Sequence, residues 1–112
     1  MDEATARERL LRRRAELGEE NRMSAAERAP VTLDQDSEGR LSRIDAMQVQ
    51  AMALAAERRR AAERQRIDAA LMRLAEGAFG FCLSCGEEIS RYRLENHPSV
   101  SQCRACASGE NS

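Results

Sequence analysis

Apolar residues recur at helical spacing for most of this chain and then stop doing so. Residues 2 to about 28 are rich in Ala, Arg, Glu and Leu, which favour helix. Leu10, Arg14 and Leu17, with Ala6 and Leu11, form a ragged stripe along that segment. Gly18 weakens it. Pro30 ends it, because proline lacks the backbone donor and disfavours a helical residue before it. The stretch 29–38 (APVTLDQDSE) is the clear interruption in the first 75 residues. Start signals then overlap: Thr32 with Gln35 fits a capping box, and Asp36 or Ser37 could cap a later start. A second helix is expected to begin within 33–39 and run to about Glu76. That is about 38 residues, or roughly 55–60 Å. Leu41, Ile44, Gln48, Ala51, Ala55, Ala62, Ala69 and Met72 suggest its heptad-like seam, with alanines that permit close helix approach but bury little area. Gly77 and Gly80 follow as stop signals.

A helix, a loop holding proline and a longer helix make an antiparallel helical hairpin. The expected organisation is a hairpin over 1–77 with its tip near 29–38, a small irregular module over 78–107, and a disordered tail over 108–112. The fold class is mainly α.

Composition explains why such a chain needs a staple. One third of the residues are charged, there is no Trp, and the aromatic residues are Phe79, Phe81 and Tyr92. Such a chain cannot build a deep core, and small domains without one usually need a metal or disulfides. The charges are 18 basic against 19 acidic, giving a net charge of -1. Every basic residue is Arg, interleaved with acids in the manner of solvated helix faces. No basic patch with stacking aromatics is present, so sequence-specific DNA binding is not expected. The N-terminus lacks a signal-peptide core, and the longest apolar run, Ala51 to Ala56, is far short of the ~18–20 residues that cross a membrane. A cytoplasmic location without membrane association is expected. Thiols stay reduced there, so paired cysteines read as metal ligands before disulfides.

The cysteines supply the chemistry. Cys82 and Cys85 are separated by two residues, as are Cys103 and Cys106, and residues 86 to 102 lie between the pairs. Two intervening residues let one tight turn present both sulfurs to one ion, and Gly86 suits the backbone of such a turn. A gap of about 15–20 residues between pairs is the zinc spacing. One structural Zn2+ bound by Cys82, Cys85, Cys103 and Cys106 is therefore expected. Two disulfides would need an oxidising compartment, iron–sulfur clusters use other common spacings, and no βαβ pattern surrounds either pair as a thioredoxin-like motif requires. His97, the one histidine, could replace a cysteine, but four cysteines suffice, and a surface position before Pro98 is the simpler reading. No Ser–His or Cys–His arrangement remains for a nucleophile, so no catalytic residue is assigned and an enzyme is the least favoured class.

These residues also carry a resemblance. FGFCLSCGEEISRYRLENHPSVSQCRACAS resembles the zinc-finger module of the DksA/TraR family of bacterial transcription regulators. It shares the Phe-Gly-aromatic-Cys entry at 79–82, the Cys-x-x-Cys-Gly with a following Glu-Ile, Arg-Leu-Glu at 93–95, Pro98 and the closing cysteine pair. The resemblance implies direct binding to RNA polymerase, with a coiled-coil hairpin entering the secondary channel, and ppGpp as a ligand that acts at the complex in some members. It also implies that acidic residues at the hairpin tip approach the polymerase active-site region. Well-studied members carry Asp-x-x-Asp-x-Ala there; here the segment reads LDQDSEGRLSRIDAM, in which Asp34 and Asp36 are too close together and Asp45 has no Asp three residues before it. The candidate partner-contacting residues are Asp34, Asp36, Glu38, Arg40, Arg43 and Asp45. Capping of the second helix is an equal reading for the first three, and a solvated face is one for the arginines. A zinc-stabilised adaptor that does not act on polymerase is the alternative function.

Overall fold

The computed structural model describes residues 1–31 and 40–109, and the fold is mainly helical. Helix α1 spans Glu3–Met23, α2 Ala25–Arg28, α3 Arg40–Glu76, α4 Arg91–Asn96 and α5 Arg104–Ala107. Asp2 opens α1 by accepting the Thr5 backbone N–H at 2.7 Å. That bond lowers the Asp2 carboxyl pKa. Ser24 breaks the helical run between α1 and α2, and Ala29 leaves α2 in extended backbone just before Pro30. At the far end of α3, Gly77 takes a φ of 75°, a left-handed value that L side chains resist. The Ala78 N–H returns to the Arg73 carbonyl at 2.8 Å and closes that end.

The chain divides into two compact units. The first comprises Met1–Ala15 with Glu63–Ser112, and the second comprises Glu16–Ala62. The first unit buries Ala6, Leu10, Ile67, Ala70, Leu74, Cys82 and Ile89, together with Arg73. At its rim Arg13 grips Glu63 with two hydrogen bonds, at 2.7 and 3.0 Å. Arg14 lies 2.8 Å from Asp68.

The second unit is a helical hairpin. Arg60 donates to the Asn21 side chain and to Ser24 Oγ, Arg28 pairs with Glu57 at 2.5 Å, and Gln50 donates to the Ala29 carbonyl at 2.9 Å. The partners fall in opposite chain order, so the pairing is antiparallel. Its buried apolar side chains, among the described residues, are Leu17 and Ala53.

The expected seam of α3 needs correcting. Ala62, Ala69 and Met72 are exposed, while Ala53, Ile67, Ala70 and Leu74 are buried. The true inward positions are offset from the expected ones by one or two residues. Arg60 and Glu63 occupy inward positions and are held there by hydrogen bonds to or from α1, so the apolar pattern is interrupted where the helices meet. Leu11, expected in the α1 stripe, is also exposed, whereas Ala6, Leu10 and Leu17 are buried as the stripe requires.

Candidate metal centre

Each cysteine pair sits on its own small device. The first lies in a turn after Phe81, which forms an isolated antiparallel bridge with Glu88. The Gly86 N–H returns to the Cys82 carbonyl at 2.9 Å, and the Cys82 N–H donates to the Glu87 carbonyl at 2.8 Å. Gly86 holds a φ of 79°, so the loop reverses around Cys85 without the steric cost a Cβ would bring. Gly80 plays a similar part on the way in: its φ is 94° and its carbonyl accepts the Ile89 N–H at 2.8 Å. The second pair stands at the start of α5. Cys103 is the N-cap, and its Sγ accepts the Cys106 backbone N–H at 3.5 Å.

The four sulfurs converge. All lie within 4.8 Å of one another, and Cys85 Sγ is 3.7 Å from Cys103 Sγ. A tetrahedron with Zn–S bonds of ~2.3 Å has sulfur edges of about 3.8 Å. None of the four is in a disulfide. The donor set and its spacing thus fit a zinc ion held by four cysteines, and four thiolates complete the tetrahedral shell. No position is left for a reactive water, so the role of the metal is structural.

The electrostatics of the bare thiols explain why a cation is needed. Burial raises the Cys82 thiol, but the backbone N–H groups of Cys103, Cys85 and Ser84 outweigh this and bring its pKa down to about 6. Cys106 is pushed up to about 12, first by the Cys103 sulfur, then by burial and by the sulfurs of Cys82 and Cys85. For Cys85 the Glu87 N–H lowers the value, yet burial and adjacent sulfurs leave it raised. Cys82 ionises readily here, whereas Cys85 and Cys106 resist ionisation. A divalent ion is what lets all four ionise together.

Comparison with known proteins agrees. Residues 77–111 match the model of the prokaryotic dksA/traR C4-type zinc finger. A solved structure, the transcription factor DksA2 from Pseudomonas aeruginosa, is similar with a TM-score of 0.74 and 27% sequence identity over 96% of this chain and 81% of that one. Residues 77–111 are thus similar to a dksA/traR-type C4 zinc finger, and the fold of the chain is similar to that of DksA2. No curated protein sequence matches it.

The other sequence candidates fall elsewhere. His97 is exposed at the C-cap of α4, outside the sulfur cluster, and lines a surface cleft of about 540 Å³ with Glu63, Arg66 and Arg93. Asp34, Asp36 and Glu38 lie outside the described residues, as do residues 110–112 of the expected tail. Arg40 opens α3, and Arg43 and Asp45 are exposed on its first turns. Sequence reasoning missed α4 and α5. Ser90 was a readable signal for the first, since its side chain accepts the Arg93 N–H at 3.2 Å as an N-cap. Arg73 and Arg93, which bond backbone carbonyls beside the second cysteine pair, carried no local signal.

Proposed function

We propose that this protein is a bacterial transcription regulator that binds RNA polymerase directly. Its helical hairpin enters the secondary channel, while one structural zinc holds the module at 78–107. The observation that carries this reading is the likeness, over 96% of the chain, to a protein described as a transcription factor. The exposed start of α3 supports it: Ile44, Met47, Val49 and Met52 stand in solvent beside Arg43 and Asp45, the composition of a surface made to be covered. Asp34, Asp36, Glu38, Arg40, Arg43 and Asp45 are the proposed contact set, and ppGpp the proposed ligand at the complex. The protein works in the cytoplasm. Among the described residues no helix is long and apolar enough to cross a membrane.

The test is capture of core polymerase by the zinc-loaded protein, followed by transcription from promoters of differing open-complex stability. Association at micromolar protein is expected, with a promoter-dependent change in output that Arg43→Ala with Asp45→Ala diminishes. No association at that concentration overturns the reading. The departure of the tip from Asp-x-x-Asp-x-Ala favours a second reading, a zinc-stabilised adaptor for another partner. Under it, Asp34→Ala with Asp36→Ala leaves transcription unchanged.

A further inference from the structure

Three consecutive backbone carbonyls just before the second cysteine pair are each held by a different element. Arg73 Nη2, from α3, donates to Val100 at 3.3 Å. The Leu83 N–H, from the first cysteine turn, donates to Ser101 at 2.8 Å. Arg93 Nε, from α4, donates to Gln102 at 2.9 Å. The Gln102 side chain in turn donates to Ser84 Oγ at 2.8 Å. Cys103 is the next residue.

Arg73 is an expensive choice for such a contact. It is 8% exposed and has no carboxylate partner among the described residues. A buried guanidinium without a counter-charge costs free energy unless its position serves something else. The backbone segment it holds leads directly into a metal ligand. Groups that orient metal ligands from behind typically contribute about 10–100-fold to metal affinity.

We propose that Arg73 and Arg93 are positioning residues for the second cysteine pair. By holding the carbonyls of Val100 and Gln102 they fix the backbone that delivers Cys103 and Cys106 to the metal. Because Arg73 belongs to α3, the same contact ties zinc occupancy to the last turns of that helix. Metal binding therefore orders the end of α3, and a disturbed α3 end loosens the metal.

The test measures zinc affinity of the full chain by competition with a chromophoric chelator, well below the melting temperature. Arg73→Met and Arg93→Met are each expected to weaken zinc binding by about tenfold or more. Arg73→Lys and Arg93→Lys should recover part of that loss, since one donated N–H suffices at each carbonyl. Leu10→Ala, a core change in the same unit, should lower the melting temperature and leave zinc affinity within about twofold. Arg104→Met removes an exposed charge next to Cys103 and should also stay within about twofold. Equal weakening by Arg104→Met would mean that charge alone matters, and would overturn the proposal. So would unchanged zinc affinity in both Met variants. Should Arg73→Met fail to fold, Arg93→Met and the Lys variants decide, together with amide exchange in the wild type. Zinc is expected to slow exchange at Gly77 and Ala78, which bond the Leu74 and Arg73 carbonyls; no slowing there overturns the tie to α3.

Discussion

The two compact units are held together by different physics. The unit made of 1–15 and 63–112 buries Leu10, Ile67, Leu74 and Ile89 and adds a metal site. The unit spanning 16–62 buries Leu17 and Ala53 and relies on Arg28, Arg60 and Gln50 reaching across the hairpin. A fully buried Leu or Ile contributes roughly 1.5–3 kcal/mol, whereas a net hydrogen bond gives about 0.5–1.5 kcal/mol. The first unit therefore has several strong contributors and the second has few. The second also exposes Met47, Val49 and Met52 at 53%, 50% and 73%. The difference teaches a division of labour in stabilisation: one unit relies on a core and a metal site and the other on polar contacts, while both leave large apolar side chains exposed, Leu83 and Tyr92 in the first and Met47 and Met52 in the second. Polar contacts fix how the two helices of the hairpin meet without consuming that surface.

The largest expected effect sharpens this contrast. Removing zinc, by chelator or by Cys103→Ser, should cost the first unit on the order of 10 kcal/mol, since structural zinc binding is folding free energy. Amide exchange should then rise most across 78–109. Acid should do the same, because the thiols must lose their protons to bind. Protons compete with the metal for the thiolates, and Cys82, brought down to about 6 while Cys85 and Cys106 are raised, is the last of these three to take up its proton as pH falls. Zinc release measured by a fluorescent indicator should accordingly increase as pH falls. Equal exchange in both units after chelation breaks the contrast.

Next come the core residues. Ile67→Ala and Leu17→Ala should each cost about 2–5 kcal/mol. Their locations differ, however. Ile67 shares its unit with other large buried side chains, while Leu17 is the large one in the hairpin unit among the described residues. Exchange should accelerate over 16–62 in Leu17→Ala and not in Ile67→Ala, and both are read in one denaturation and exchange series.

Smaller effects come from the polar contacts. Arg28→Met loses the Glu57 pair and a bond to the Asn21 carbonyl at 2.6 Å, and should cost about 1 kcal/mol after allowance for its partial exposure. Glu63→Gln should cost about 0.5–1 kcal/mol at neutral pH. The Arg13 hydrogen bonds, chiefly, hold the Glu63 carboxyl below its ordinary 4.5. A lowered carboxyl stabilises above that ordinary value and loses its contribution as pH falls through the folded one. The cost of Glu63→Gln should therefore shrink below about pH 4.5, as read from urea midpoints across pH.

Which features could be read beforehand follows from range. The cysteine ligands were legible because two turns four residues long and one gap encode the site locally. Helix ends at Pro30 and Gly77 were legible for the same reason, through φ restriction. The α3 seam was not, because Arg60 and Glu63 sit inward by virtue of partners on α1 some 40 to 50 residues away. Arg73 and Arg93 escaped similarly: a side chain aimed at a distant carbonyl leaves no spacing to recognise. Alanine-rich sequence made the error easy, since alanines on both faces of α3 suggest two seams equally well.

Gly18 gives the finest test of the comparison. It lies within α1, in the unit with little apolar burial, and a Cβ built there meets nothing within 4 Å. No left-handed backbone is required of it; among the described residues the positive-φ glycines are Gly77, Gly80, Gly86 and Gly109. The glycine thus costs helix stability through backbone entropy without any steric need for it. Gly18→Ala should stabilise by about 0.5–1 kcal/mol, mainly by restricting the unfolded chain. The gain should appear as slower exchange in 16–23 with zinc affinity unchanged. A destabilised Gly18→Ala would mean that the hairpin unit is packed more tightly than its buried residues indicate, and the division of labour between the two units would then have to be redrawn.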